Sequence, residues 1–480
     1  TGGRHTHYDR RRWQADPHVV RSWKQVPCHQ RRSRRKWATR TSGRFATSPT
    51  GRIQLGNLLT VLFTHLFALG QSGRFILRFD DTDTERSTRE FADGIERDLA
   101  WSGVTPDAVV RQSSRVPLYQ NARDRLVAAG RLYPCYETSD ELDRRRARAR
   151  AMGRPPIYDR AALKLTDEDR ARLEAEGRRP HWRFRLDGKP VVFTDLIRGE
   201  QTVNTASTAD PVLVREDGSF LYTLPSVVDD IDLGITHVIR GEDHVSNTGT
   251  QIEIFEALGA TPPTFAHHNL LTDEHGQGLS KRLGSLSIEH LRAEGYEPMA
   301  VAIMATLTGT SLAPEPMASL AELARHFDLS KVSQGPARYD PRELETLNAR
   351  ILHAMPFEAV RARLQPLGLD DAALWEVLRP NLKRFSEISD LAVLVRGPVT
   401  PVIASEDRAF MDKARELLPA EPYDETTFST WTSALKQATG RKGRALFMPL
   451  RLALTGREDG PELKSLLPLL GRKACLDRLS

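Results

Sequence analysis

The chain is 480 residues long, 39% hydrophobic and 28% charged, a globular composition with room for two to four domains that excludes low-complexity and fibrous classes. Its apolar runs all fall short of the roughly 20 residues that cross a bilayer, so no membrane role is expected, and Cys28, Cys135 and Cys475 are too few for a disulfide framework, which suits the cytoplasm. The net charge of +6 is local: residues 1–40 hold twelve Lys and Arg against Asp9 and Asp16, a surplus of ten, so residues 41–480 sum to −4 and offer a polyanion only local basic faces.

Residues 1–43 read as a disordered basic extension with no hydrophobic periodicity. An Arg-rich, acid-poor leader fits a transit peptide or an RNA-binding arm. The favoured reading is upstream sequence translated from a misplaced start, with the native start near Trp37 to Arg40. From Arg44 a short buried strand runs into the turn Ser48-Pro49-Thr50-Gly51. A helix follows from Gly56, with Leu59, Phe63, Leu66 and Phe67 on one face and Gly70 as its stop signal. Arg74 to Phe79 is a second strand that ends at Asp80, Asp81 and Asp83. Such a strand, loop, helix, strand unit implies a parallel pair, with the ligand beyond the strands' carboxyl ends and a phosphate on the helix N-terminus. Ser87-Thr88-Arg89-Glu90 reads as a capping box, opening a helix with Phe91, Ile95 and Leu99 on its face and an end at Gly103. Leu118, Ala122 and Leu126 mark another helix, stopping at Gly130.

Ser48-Pro49-Thr50-Gly51, Gln54-Leu55-Gly56-Asn57 and Asp80-Asp81-Thr82-Asp83, with Gly278-Leu279-Ser280-Lys281-Arg282 far downstream as a KMSKS-type loop, resemble a bacterial-type glutamyl-tRNA synthetase of class I. The resemblance covers residues 44–480. It implies an α/β, Rossmann-type class I synthetase catalytic domain (44–116 and 207–275) with an inserted acceptor-end-binding domain (117–206). A stem-contact region (276–355) and an all-α anticodon-binding domain (356–480) complete the expected architecture. A glutaminyl enzyme is disfavoured by Pro49-Thr50-Gly51 and Asp81-Thr82-Asp83, and the length disfavours a shorter paralogue that modifies a tRNA base.

In the inserted segment the run Arg144 to Arg150 would neutralise phosphates, or else be a solvated helix face. The resemblance ties zinc there to Cys-x-Cys and a later Cys/His pair. Cys135 alone remains, beside Glu137 and Tyr158-Asp159-Arg160, so no structural zinc is expected.

The resemblance assigns glutamate to Arg44, Ala46, Asp80, Tyr222, Ser226 and Arg240. Guanidinium forks suit carboxylates, and an acid suits the ammonium. ATP is assigned to Ser48, Gln54, Gly56, Asn57, Asp243, Leu271, Leu279, Ser280 and Lys281, with Mg²⁺ accompanying it. Lys281 and Arg282 would meet the negative charge that builds on the phosphate, with Gln54 as the third catalytic residue. Gln54 stands where the family has a signature His and can donate a hydrogen bond but carries no charge. That departure motivates the alternatives of a catalytically weak or specialised tRNA-binding paralogue, or an enzyme that charges tRNA(Gln) besides tRNA(Glu). Asp229-Asp230 read as helix-start capping rather than a metal site. His267 and His268, neighbours on a strand, face opposite sides and read as packing. The family expectation is a monomer.

Overall fold

The computed structural model describes residues 40–273, 275–277, 279 and 286–480. The expectations for residues 1–39 and for Ser280, Lys281 and Arg282 lie outside them.

Strand β1 (Ser42–Thr47), helix α1 (Leu55–Gly70) and strand β2 (Arg74–Phe79) form the expected parallel unit, with Arg44 opposite Ile76 and Ala46 opposite Arg78. Burial on α1 runs nearly all round, not along one stripe. The sheet lies on one side, where Thr64 sits so close that a Cβ on Gly43 would meet its methyl at 2.7 Å. Two later helices, α9 and α10 below, lie on the other, and Leu58, Leu62 and Phe63 are fully enclosed. Gly70 is the last residue of α1, and the left-handed turn falls on Ser72 (φ 49°). Helix α2 (Arg89–Trp101) is capped by Thr88, whose hydroxyl accepts from the Phe91 N–H at 3.2 Å. The expected Ser87/Glu90 box is therefore displaced by one residue, since only Thr88 has the extended backbone a cap needs.

Strand β3 (Ala108–Arg111), helix α3 (Val116–Ala128), β4 (Leu132–Cys135), α4 (Ser139–Ala151) and α5 (Asp167–Ala175) come next, followed by β5 (His181–Phe184), β6 (Pro190–Asp195), β7 (Gly199–Asn204) and β8 (Val212–Val214). β4, β5 and β8 make a small sheet of their own. β6 and β7 instead complete the main sheet, of order β3-β2-β1-β9-β10-β6-β7, in which β9 is His237–Gly241 and β10 is Thr264–His268. Residues 190–204, placed by sequence with the inserted segment, thus hydrogen-bond as the edge of the large sheet.

Helices α6 (Thr223–Asp232) and α7 (Val245–Ala257) flank β9, and β11 (Leu271–Thr272) follows β10. Helices α8 (Ile288–Ala293), α9 (Pro298–Leu307), α10 (Leu320–His326) and α11 (Pro341–Ala354) come next, with β12 (Ala337–Arg338) paired to β11. Everything described after α11 is helix and loop, around two cores centred on Trp375 and Trp431. From β1 the strand order runs one way to β2 and β3 and the other way to β9 and β10. Ligands settle at the carboxyl ends of strands flanking such a switch point.

Candidate active site

β1 and β9, the strands at the switch point, carry Arg44 and Arg240. Side chains alternate along a strand, so Arg44 and Ala46 share a face, as do Arg78 and Asp80 on β2. The opposite face of β1 is taken by α1. Helix α6 supplies Ser226, Asp229 and Asp230 at the i, i+3, i+4 spacing that puts them on one side. The result is a buried ion network. Arg44 grips Asp230 with two bonds of 3.0 and 3.1 Å. Arg78, fully buried, donates to Asp80 at 2.7 and 3.1 Å, to Asp230 at 3.1 Å and to the Ser226 hydroxyl at 3.1 Å. Asp229 accepts from Arg115 at 2.7 Å, from Gln112 at 2.9 Å and from the Tyr119 hydroxyl. Burial holds the Asp229 carboxyl above its usual range, against the pull of Arg78 and Arg115. Asp229 and Asp230 lie towards the end of α6 as counter-ions to arginines, so they do not cap a helix start and their oxygens are taken.

Arg240 differs. It is 5% exposed, yet its hydrogen-bond partners are neutral: the Thr248 hydroxyl at 2.7 Å, His267 Nε2 at 3.1 Å and the Tyr222 hydroxyl at 3.3 Å. A guanidinium only donates, so the bond from Arg240 Nε requires a lone pair on His267 Nε2 and puts the ring proton on Nδ1. His267 Nδ1 duly sits 2.6 Å from Asp195 Oδ2. Asp195, also buried, is held in turn by the N–H groups of Ile197, Arg198 and His267. Burial keeps the His267 imidazole below its ordinary pKa despite this carboxylate, with Arg240 adding to the effect. A chain of fixed direction, carboxylate to imidazole to guanidinium, therefore aims Arg240. The Tyr222 hydroxyl is exposed to the same field: burial opposes its ionisation, but Arg240, Arg44 and Arg78 pull it below the usual phenol range. A phenol that ionises more readily reports excess positive charge.

The phosphate side has another character. Gln54 is the N-cap of α1, and its N–H is met by Asn57 Oδ1 at 3.2 Å. Leu55 N–H donates to the Leu286 carbonyl and Ile288 N–H to the Ile53 carbonyl, which ties the far end of the SKR segment to the start of α1. Ser48 and Asn57 are exposed, Gly56 is half-buried, and no charged side chain lies in the first turn. Leu271 and Leu279 belong to the main core, while Asp243 is exposed beside His244.

Of the residues expected around an amino acid, Arg44, Asp80, Tyr222, Ser226 and Arg240 meet through one network, with Ala46 on the face of Arg44. Sequence reading missed Arg78, whose signal was an arginine inside the apolar strand Arg74–Phe79, and Asp195, which carried none. His267, expected to pack, uses both ring nitrogens, and His268 faces away to bond Thr60 at 2.9 Å. Elsewhere, Cys135, Glu137 and His181 form the one group of metal-competent side chains among the described residues.

This fold and site define a class I tRNA synthetase. Residues 40–346 match the family described as tRNA synthetases class I (E and Q), catalytic domain, and residues 319–480 match an anticodon binding domain. Glutamate--tRNA ligase 2 of Methylorubrum populi is 58% identical over 440 residues, covering 91% of this chain and 98% of the relative. Glutamate--tRNA ligase 1 of Brucella canis is 55% identical over 443 residues, covering 89% and 97%. A crystal structure of a glutamate tRNA ligase from Elizabethkingia meningosepticum, in complex with its amino acid, superposes with a TM-score of 0.81 at 28% identity, covering 92% of this chain and 98% of that one. The chain belongs to the glutamate--tRNA ligases, a family of aminoacyl-tRNA ligases.

Proposed function

We propose that the chain joins L-glutamate to the 3′-terminal adenosine of tRNA(Glu) in two steps. A glutamate carboxylate oxygen attacks the α-phosphorus of ATP and pyrophosphate leaves. A ribose hydroxyl of the tRNA then attacks the acyl carbon and AMP leaves. The supporting observation is Arg240, a buried guanidinium whose hydrogen-bond partners are all neutral. Leaving a charge unbalanced in low dielectric is expensive, and a carboxylate from the substrate removes that cost on binding.

In this reading Arg240 and Arg44 meet the two carboxylates, Tyr222 and Ser226 shape the side-chain end, and Ala46 leaves space. Asp80, held by Arg78, receives the ammonium. Gln54, Gly56, Asn57 and Ser48 offer the phosphates neutral donors and the partial positive charge of a helix start. Lys281 and Arg282, with Ser280, bring mobile positive charge, and Leu271, Leu279 and Asp243 serve the nucleoside. Mg²⁺ arriving on the triphosphate would neutralise phosphate charge; Asp229 and Asp230, occupied by arginines, are not its ligands. Residues 117–206 take the acceptor end, 276–355 the stem and 356–480 the anticodon, in a cytoplasmic monomer.

The test is glutamate-dependent exchange between ATP and pyrophosphate, with and without tRNA(Glu), followed by charging of pure tRNA(Glu) and tRNA(Gln). Exchange and charging of tRNA(Glu) are expected. No exchange in either condition would leave only a tRNA-binding paralogue, the second reading, which Gln54 in place of a charged imidazole favours.

A further inference from the structure

Apart from the site above, the strongest feature is the group Cys135, Glu137 and His181 in the inserted segment. The zinc motif of the resemblance is reduced there to Cys135, but the imidazole comes from a strand that motif does not include. Pairing of the small sheet builds the group. Cys135 ends β4, His181 begins β5, and the two are partners across the antiparallel ladder, so their side chains stand on one face with Cβ atoms about 5 Å apart. Glu137, two residues beyond Cys135, returns to the same side.

The donor atoms all lie within 4.8 Å of one another. Tetrahedral zinc at ordinary bond lengths holds its donors roughly 3.3–3.8 Å apart, so closing on an ion takes a shift of about 1 Å or less. The three side chains are buried: Cys135 is 0%, Glu137 8% and His181 7% exposed. Two buried atoms, Glu137 Oε2 and His181 Nε2, have no hydrogen-bond partner among the described residues. Each such atom costs about 1–3 kcal/mol, and a shared cation relieves both. The Tyr158 hydroxyl donates to Glu137 Oε1 at 2.8 Å and lies 3.7 Å from Cys135 Sγ, which puts a further oxygen at the same place. One thiolate and one carboxylate would balance a divalent charge.

We propose that Cys135, Glu137 and His181 bind one divalent ion of the zinc class, with the Tyr158 hydroxyl beside it as the fourth donor. As the ion enters, the Cys135 thiol releases its proton to solvent and the ion sheds water. The ion then pins β4 to β5 beneath the arginine-rich helix α4.

The full chain, purified without chelator and freed of loose ions, is expected to retain one zinc per molecule by mass spectrometry. Chelator-treated protein titrated with Co²⁺ should develop tetrahedral ligand-field bands and a thiolate-to-cobalt charge-transfer band. Cys135→Ser should lose the charge-transfer band, and His181→Gln should weaken Co²⁺ binding roughly ten-fold or more. Wild-type protein that retains no zinc and gives no cobalt spectrum overturns the proposal, and so does a spectrum left unchanged by both substitutions. Because the wild-type stoichiometry and spectrum are read first, a variant that fails to fold does not rescue the idea.

Discussion

The two ends of the candidate site solve opposite electrostatic problems. At the amino-acid end the charges are permanent, buried and paired in advance: Arg44 on Asp230, Arg78 on Asp80 and Asp230, Arg115 on Asp229. Only Arg240 keeps neutral partners. At the phosphate end the described groups are neutral, and the expected charge belongs to Lys281 and Arg282 on a separate loop. A small rigid guest present throughout the reaction suits fixed guanidiniums, whereas charge that develops on phosphorus and departs with pyrophosphate suits a helix start and movable cations.

The sharpest way to break this contrast is to remove the guanidinium with neutral partners. Arg240→Ala loses two charge-assisted bonds to substrate, about 1.5–3 kcal/mol each, so kcat/KM for glutamate should fall roughly 10²- to 10⁴-fold. Exchange kinetics at saturating ATP check it, and a loss below ten-fold would remove Arg240 from the pocket.

Next comes the chain that aims it. In Asp195→Asn the new amide donates to His267 Nδ1 and moves the ring proton to Nε2, where it opposes the Arg240 N–H. KM for glutamate should rise roughly ten-fold, the worth of one neutral hydrogen bond, with KM for ATP unchanged. Equal effects on both would mean general disruption rather than positioning.

At the phosphate end the contrast predicts smaller effects. Gln54→Ala removes one neutral donor, so kcat of exchange should drop by less than about ten-fold with KM for glutamate unaltered. A drop comparable with that of Arg240→Ala would show that this end is not built from weak, distributed contacts.

The smallest effect concerns stability. His268 anchors α1 through Thr60, and burial lowers its pKa from 6.5 to about 4. A base depressed on folding supports the native state fully above its unfolded pKa. That support is lost as pH falls from 6.5 towards about 4, because only the unfolded chain takes up the proton. Thermal melts across that window should fall more steeply for wild type than for His268→Gln; parallel curves would show that the imidazole does not set this part of the acid limb.

Much of this was legible in one dimension. Turn residues and periodicity marked β1, α1 and β2, and Arg44 and Arg240 were singled out before any strand order was known. Sequence also misled in specific places. Asp229-Asp230 looked like a cap because two acids near an apolar stretch commonly are one, and only the packing of α6 over β1 and β2 turns them into counter-ions. Residues 190–204 looked like part of an insertion because they interrupt the Rossmann pattern, yet hydrogen bonds from β6 to β10 assign them to the large sheet.

The order of residues by itself determined the local elements, the phosphate-facing turn and the kinds of side chain present. Those follow from short-range sterics and spacing. The direction of the Asp195-His267-Arg240 chain and the meeting of Cys135 with His181 were decided by tertiary structure alone. Each depends on which strand lies beside which and in what register, a choice that burial of the whole sheet makes and no neighbouring residue announces.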